Sequence, residues 1–173
     1  DNFEYLCKKH KPSVAMIVNV LGHSNRIKEI KKLCKKYNII LLEDSCEALG
    51  TDLYGKKLGT AGLASSFSFY YGHHISTIEG GMVVTDDNEL YNIMLSIRSH
   101  GWSRDLNKVY RNKLMKENHV DEFRNLYTFY YPGYNFRSSD LNAFLGNTQL
   151  KKIDKISKVR NDNFYYYKEN LSN

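Results

Sequence analysis

Asp44, Ser68 and His73 fall at or just beyond the ends of apolar runs, where an open α/β sheet presents its ligands. Asp44 closes a run that begins Ile39-Ile40-Leu41-Leu42, Ser68 lies in Ser65–Tyr70, and His73-His74 and Glu79-Gly80-Gly81 follow. An imidazole in such a place can move a proton near neutral pH. Each residue also has an ordinary structural use. A strand-end Asp caps or turns the chain, a Ser can be a satisfied core hydroxyl, paired histidines can decorate a loop, and Gly80-Gly81 can form a turn. A metal site is the poorer reading, because no third ligand lies close in sequence.

The surrounding sequence predicts elements that would position these groups. Val14–Val20 and Ile39–Leu42 are apolar and β-branched, as strands buried on both faces are. Between them a helix is predicted from about Arg26 to Tyr37, capped by Ser24 or Asn25 and ended by Asn38. Ile27, Ile30, Leu33 and Cys34 form its apolar stripe. Strand, helix and strand within about thirty residues make a right-handed βαβ unit with parallel strands. Further strands are predicted at Ser65–Tyr70 and Gly81–Thr85; about ten residues separate them, too few for a crossover helix, so the second returns antiparallel. Asp86 or Asp87 caps a helix with Leu90, Ile93, Met94 and Ile97 inward. Residues from about Gly101 to Tyr131 have no clean period and read as a long excursion. Ser138-Ser139-Asp140 caps another helix carrying Leu141, Phe144, Leu145 and Leu150, and Lys151–Leu171 continues as helix.

Composition narrows the class. The 173 residues, 42% of them hydrophobic, suffice for one globular core. No apolar run approaches the roughly 18 residues a membrane helix needs, so no membrane partner is expected. The opening residues carry no basic and then apolar leader, and the lack of an initiator Met points to a chain that begins mid-protein. Three cysteines, Cys7, Cys34 and Cys46, at irregular spacing fit a reducing, cytoplasmic setting better than a disulfide framework. The net charge of +6 comes from lysines scattered over helix faces, which reads as composition bias and solvated side chains. Nucleic acid is therefore not an expected partner; weak attraction for an anionic nucleotide is.

Four stretches, in order, resemble the DegT/DnrJ/EryC1/StrS family of sugar-nucleotide aminotransferases. They are Leu42–Thr51, Gly55–Gly62, Ser68–Gly81, similar to the family's SFxxxK cofactor loop, and Gly133–Ala143, similar to GYNxRxxDLxAA. The resemblance implies part of the large domain of a fold-type-I pyridoxal-phosphate transferase, an α/β fold with a mostly parallel sheet and one antiparallel strand. Residues 1–150 would be that part, with its N-terminal portion missing, and 151–173 a helix leading towards an absent small C-terminal domain. It further implies that Asp44 pairs with the pyridinium nitrogen, that Ser68 binds the cofactor phosphate, and that Asn135 reaches the neighbouring subunit's phosphate in a homodimer. Glu47 stands near the ring hydroxyl, where relatives often carry Gln.

The fifth residue after Ser68 is His73, where an aminotransferase of this family carries its Schiff-base lysine. This substitution resembles the 3-dehydratase branch, which makes 3-deoxy sugars. The resemblance implies pyridoxal or pyridoxamine 5'-phosphate as cofactor, His73 as the base, a nucleotide-linked 4-keto-6-deoxy sugar as substrate and glutamate as amino donor. The pathway class is deoxysugar biosynthesis, lipopolysaccharide O-antigen included. One type in the branch holds a [2Fe–2S] cluster on four cysteines; Cys46 fits one of them, but no cysteine follows it, so no iron–sulfur cluster and no other metal is expected. An ordinary sugar aminotransferase and a non-catalytic binding or dimerisation module are the competing expectations.

Overall fold

The apolar runs become strands where the sequence places them. The computed structural model describes residues 2–171. Strands β1 (Val14–Val18) and β2 (Ile40–Asp44) flank helix α2 (Ile27–Tyr37), and α1 (Asn2–His10) precedes them. A small hairpin, β3 (Asp52–Leu53) and β4 (Lys56–Lys57), leads to β5 (Ala64–Ser68) and then β6 (Gly81–Val84). The four-stranded sheet has the order β1-β2-β5-β6. The first three strands run parallel, and β6 returns antiparallel to β5. Helices α6 (Asp140–Leu150) and α7 (Ile153–Leu171) belong to the same compact unit, which holds the residues up to Val84 and those from Ser139 on.

Helix α2 ends on Asn38 in the left-handed conformation, whose N–H closes onto Cys34 and Lys35. Ile27 and Cys34 bury against Cys7 of α1 and against Ile39 and Leu41. Each large aliphatic side chain so buried contributes about 1.5–3 kcal/mol. Glu4 ties α1 to α2: it accepts from Lys36 at 2.9 Å and Tyr37 at 2.7 Å, and these bonds pull its carboxyl down to about 2. The expected cap of α2 is different. The N-cap is Arg26, with no side-chain cap bond, because Asn25 turns back to Val18 O (2.8 Å) and Asn19 Oδ1 (3.3 Å).

Only one sheet face is covered in this way. By register, Val14, Met16 and Val18 of β1 pair with Ile40, Leu42 and Asp44 of β2. Across Ser66, Val83 continues the same face. Val14, Met16, Val18, Ile40 and Val83 are all about half exposed or more open still, Met16 at 55%.

The second unit, Thr85–Ser138, contains α3 (Asn88–Arg98), capped by Asp87 through Leu90 N. Leu90, Ile93, Met94 and Ile97 are half-buried there, and the most buried positions of α3 are Asn92 and Ser96. The supposed excursion holds two helices, α4 (Lys108–Glu117) and α5 (Glu122–Asn125). Asn107 and Asp121 cap them. They lack a visible period because α4 buries only Leu114, and α5, a single turn, buries only Asn125. No described helix is long and apolar enough to cross a membrane.

Candidate active site

Strand alternation sends the neighbours Glu43 and Asp44 to opposite faces of the sheet. Glu43 is 1% exposed, yet its carboxylate is well supplied. Gly59 N donates to Oε2 at 3.1 Å, while Ala61 N and Gly62 N donate to Oε1 at 2.7 and 2.9 Å. Asn19 Nδ2 adds a longer bond at 3.4 Å. Glu43 therefore folds the loop after β4 onto the sheet. Its side chain has no bonding capacity left for a ligand.

Asp44 is half-buried on the open face. Its Oδ1 accepts from Cys46 N at 3.0 Å. Bonds from Cys46, then from the Ser66 hydroxyl, together with the nearby charge of His73, hold its carboxyl below the ordinary carboxylate value despite some burial. The Cys46 thiol moves the other way, pushed up by burial and by Asp44. Ser68 lies two residues beyond Ser66, the cross-strand partner of Asp44, and therefore shares its face. The Ser68 Oγ accepts from Tyr70 N at 3.2 Å, which leaves its proton free to donate.

His73 sits in a tight turn after β5, with its N–H donating to Tyr70 O at 3.0 Å. The loop is held by helix α6. Ser76 N donates to Gln149 Oε1 at 2.9 Å, Gln149 Nε2 to Ser76 O at 2.5 Å, and Asn142 Nδ2 to Thr77 O at 2.6 Å. Ile75 and Thr77 are buried. Nδ1 of both His73 and His74 is buried and has no hydrogen-bond partner among the described residues. Burial, then the charges of Arg160 and His73, hold the His74 imidazole below its usual value. Register and chain order thus put Asp44, Ser68 and the turn that carries His73 at the carboxyl end of the sheet.

Glu47 and Asn135 stand differently. Glu47 Oε2 is occupied by Leu21 N at 2.6 Å, which steadies a residue with a left-handed φ of 53°. Asn135 lies in the second unit, where its backbone bridges Ser99. Its side chain is exposed and makes no hydrogen bond with the described residues. Glu43, Asn142 and Gln149 are the residues that sequence reading missed. Glu43 and Asn142 lay inside recognised motifs, where no role was read for them; Gln149 lay outside all four.

A mostly parallel sheet with an antiparallel last strand, ending in an ionised Asp and a loop pinned from a later helix, has the architecture of the fold-type-I pyridoxal-phosphate enzymes. The chain belongs to the DegT/DnrJ/EryC1/StrS aminotransferase family, whose profile matches residues 8–173. It is 44% identical to GDP-4-keto-6-deoxy-D-mannose 3-dehydratase of Escherichia coli O55:H7 over 88% of this chain and 39% of that protein. A crystal structure of a histidine-to-asparagine variant of GDP-4-keto-6-deoxymannose-3-dehydratase with bound GDP-perosamine superposes with a TM-score of 0.83 at 41% identity. It covers 92% of this chain and 41% of the other. A second structure of that dehydratase, with a trapped PLP-glutamate geminal diamine, gives a TM-score of 0.82 at 39% identity, over 95% of this chain and 42% of the other. The chain thus spans about two-fifths of the length of these relatives.

Proposed function

We propose that the protein is a 3-dehydratase that removes the C3 hydroxyl of a nucleotide-linked 4-keto-6-deoxy sugar, with pyridoxamine phosphate as cofactor and glutamate as the amino donor that restores it. The observation that carries this reading is His73. It occupies the aminotransferase lysine position on a firmly held loop near Asp44, and no lysine lies between Ser68 and Gly81.

The residues fit the cofactor. The bound pyridine ring supplies an electron sink. An Asp44 carboxylate that stays ionised suits a protonated ring nitrogen. Ser68, whose hydroxyl proton is free, would hold the phosphate. Glu47 keeps Oε1 available for the ring hydroxyl while Oε2 holds the Leu21 backbone. His73 would serve as the base that accepts a proton when the cofactor is bound. An imidazole is largely unprotonated near pH 7 with little tuning, whereas a lysine needs strong desolvation. The exposed, unengaged Asn135 side chain suits a reach to a partner subunit's phosphate, so the working form is a homodimer. The setting is cytoplasmic, which suits three free thiols. No iron–sulfur cluster enters this proposal.

The test uses the full-length protein. His73→Asn is expected to retain cofactor binding, followed by absorbance, and to abolish C3 deoxygenation, followed by mass spectrometry of the sugar nucleotide. His73→Lys is expected to shift the product towards an amino sugar. Near-normal dehydration by His73→Asn, together with its loss in His74→Asn, would assign the base to the other histidine.

A further inference from the structure

A histidine that moves protons usually has its ring orientation fixed by a hydrogen bond at the nitrogen that does not react. His73 has no such bond. Its Nδ1 is buried and unpartnered among the described residues. The ring contact it does make is with Tyr70, edge-on at 5.4 Å between centroids and 70° between planes.

Tyr70, itself partly exposed, is tied at its backbone. Its N–H donates to Ser68 Oγ at 3.2 Å, and its carbonyl accepts from His73 N at 3.0 Å. Its ring lies 4.2 Å from that of Tyr71, tilted by 50°. The ring also lies close to Gly72. A Cβ at position 72 would stand 2.8 Å from Tyr70 Cε1, so any larger residue there would displace the ring. We propose that Tyr70, packed beside Gly72 and Tyr71, is a positioning residue that sets the orientation of the His73 imidazole by packing in place of a hydrogen bond. Its bearing on catalysis rests on the reading of His73 as the base.

Two substitutions reach the same contact by different routes. Tyr70→Leu removes the aromatic wall and keeps most of the volume, while Gly72→Ala leaves Tyr70 in place and pushes its ring aside. Tyr70→Phe keeps the ring and loses only the hydroxyl. In the cofactor-free full-length protein, acylation of His73 by diethyl pyrocarbonate can be followed across pH by peptide mass spectrometry, with His74 as internal reference. Tyr70→Leu and Gly72→Ala should each raise the His73 rate relative to His74 by about five-fold, the scale of one aromatic contact. In the loaded enzyme both should lower kcat about ten-fold or less, with KM little changed and the acid limb of the kcat–pH profile displaced. Tyr70→Phe should restore most of both readouts. Parental acylation ratios in both Tyr70→Leu and Gly72→Ala would overturn the proposal. If His73→Asn leaves dehydration intact, the base assignment fails; the acylation ratios still judge the Tyr70 contact independently.

Discussion

Glu43 and Asp44 are adjacent carboxylates at the end of one strand, and the sheet assigns them opposite tasks. On the covered face, Glu43 is surrounded by backbone amides from residues 59, 61 and 62 and acts as a structural anchor. On the open face, Asp44 bonds to only a few near neighbours and remains available to solvent or a ligand. Burial decides between them. A buried carboxylate must spend its lone pairs on protein donors, while a half-buried one can keep some for chemistry.

The sharpest way to break this contrast is Glu43→Ala. It leaves three backbone donors, and the longer bond from Asn19, without their acceptor, each backbone donor worth about 1–3 kcal/mol when buried and unsatisfied, so urea unfolding should show a loss of about 4 kcal/mol. A loss below about 1 kcal/mol would mean that water replaces the carboxylate and that Glu43 is no anchor. Gly62→Ala attacks the same face from the loop. Its Cβ would stand 2.6 Å from the Leu41 carbonyl oxygen, which is backbone and cannot swing away. A cost of about 2 kcal/mol by the same measurement is expected.

Asp44→Asn should have the smallest effect on stability, within about 0.5 kcal/mol at neutral pH, while weakening cofactor binding in an absorbance titration. Its pH signature has a definite sign. The folded carboxyl is depressed below its ordinary 3.8, so it stabilises the fold above that value. The contribution fades as pH falls through the lower folded value. Acid unfolding of Asp44→Asn should therefore lose a small part of its pH dependence below about pH 4. A parental acid profile would show that Asp44 keeps no favoured charge in the folded state.

Much of the open face was legible in the sequence, because it is made of strand ends. The apolar, β-branched runs located β1 and β2, strands were expected where β5 and β6 stand, the short β5–β6 connection fixed the antiparallel return, and Asp44, Ser68 and the His73 turn follow the carboxyl ends of β2 and β5. The covered face was less legible. Glu43 bonds to backbone amides, which carry no side-chain signature, and Gln149 holds Ser76 across 73 positions. Two-residue strands such as β3 and β4 are too short for alternation to register. Helix α2 began as spaced, but Asn25 was spent on Val18 and Asn19, a choice settled by tertiary geometry. The stripes on α6 and α7 announced helices correctly without announcing what covers them: Phe144 is 65% exposed and Phe164 57%.

The bare side of the sheet also governs how these 173 residues will behave in a test tube. Val14, Met16, Val18, Ile40 and Val83 form an oily strip on the same side as Asp44, and β1 and β6 terminate the sheet among the described residues. Strips of this kind bind hydrophobic dyes, adsorb to vessel walls and nucleate particles as concentration rises. Preparations of this segment will therefore need mild detergent or low concentration to stay dispersed, whatever the state of the catalytic residues.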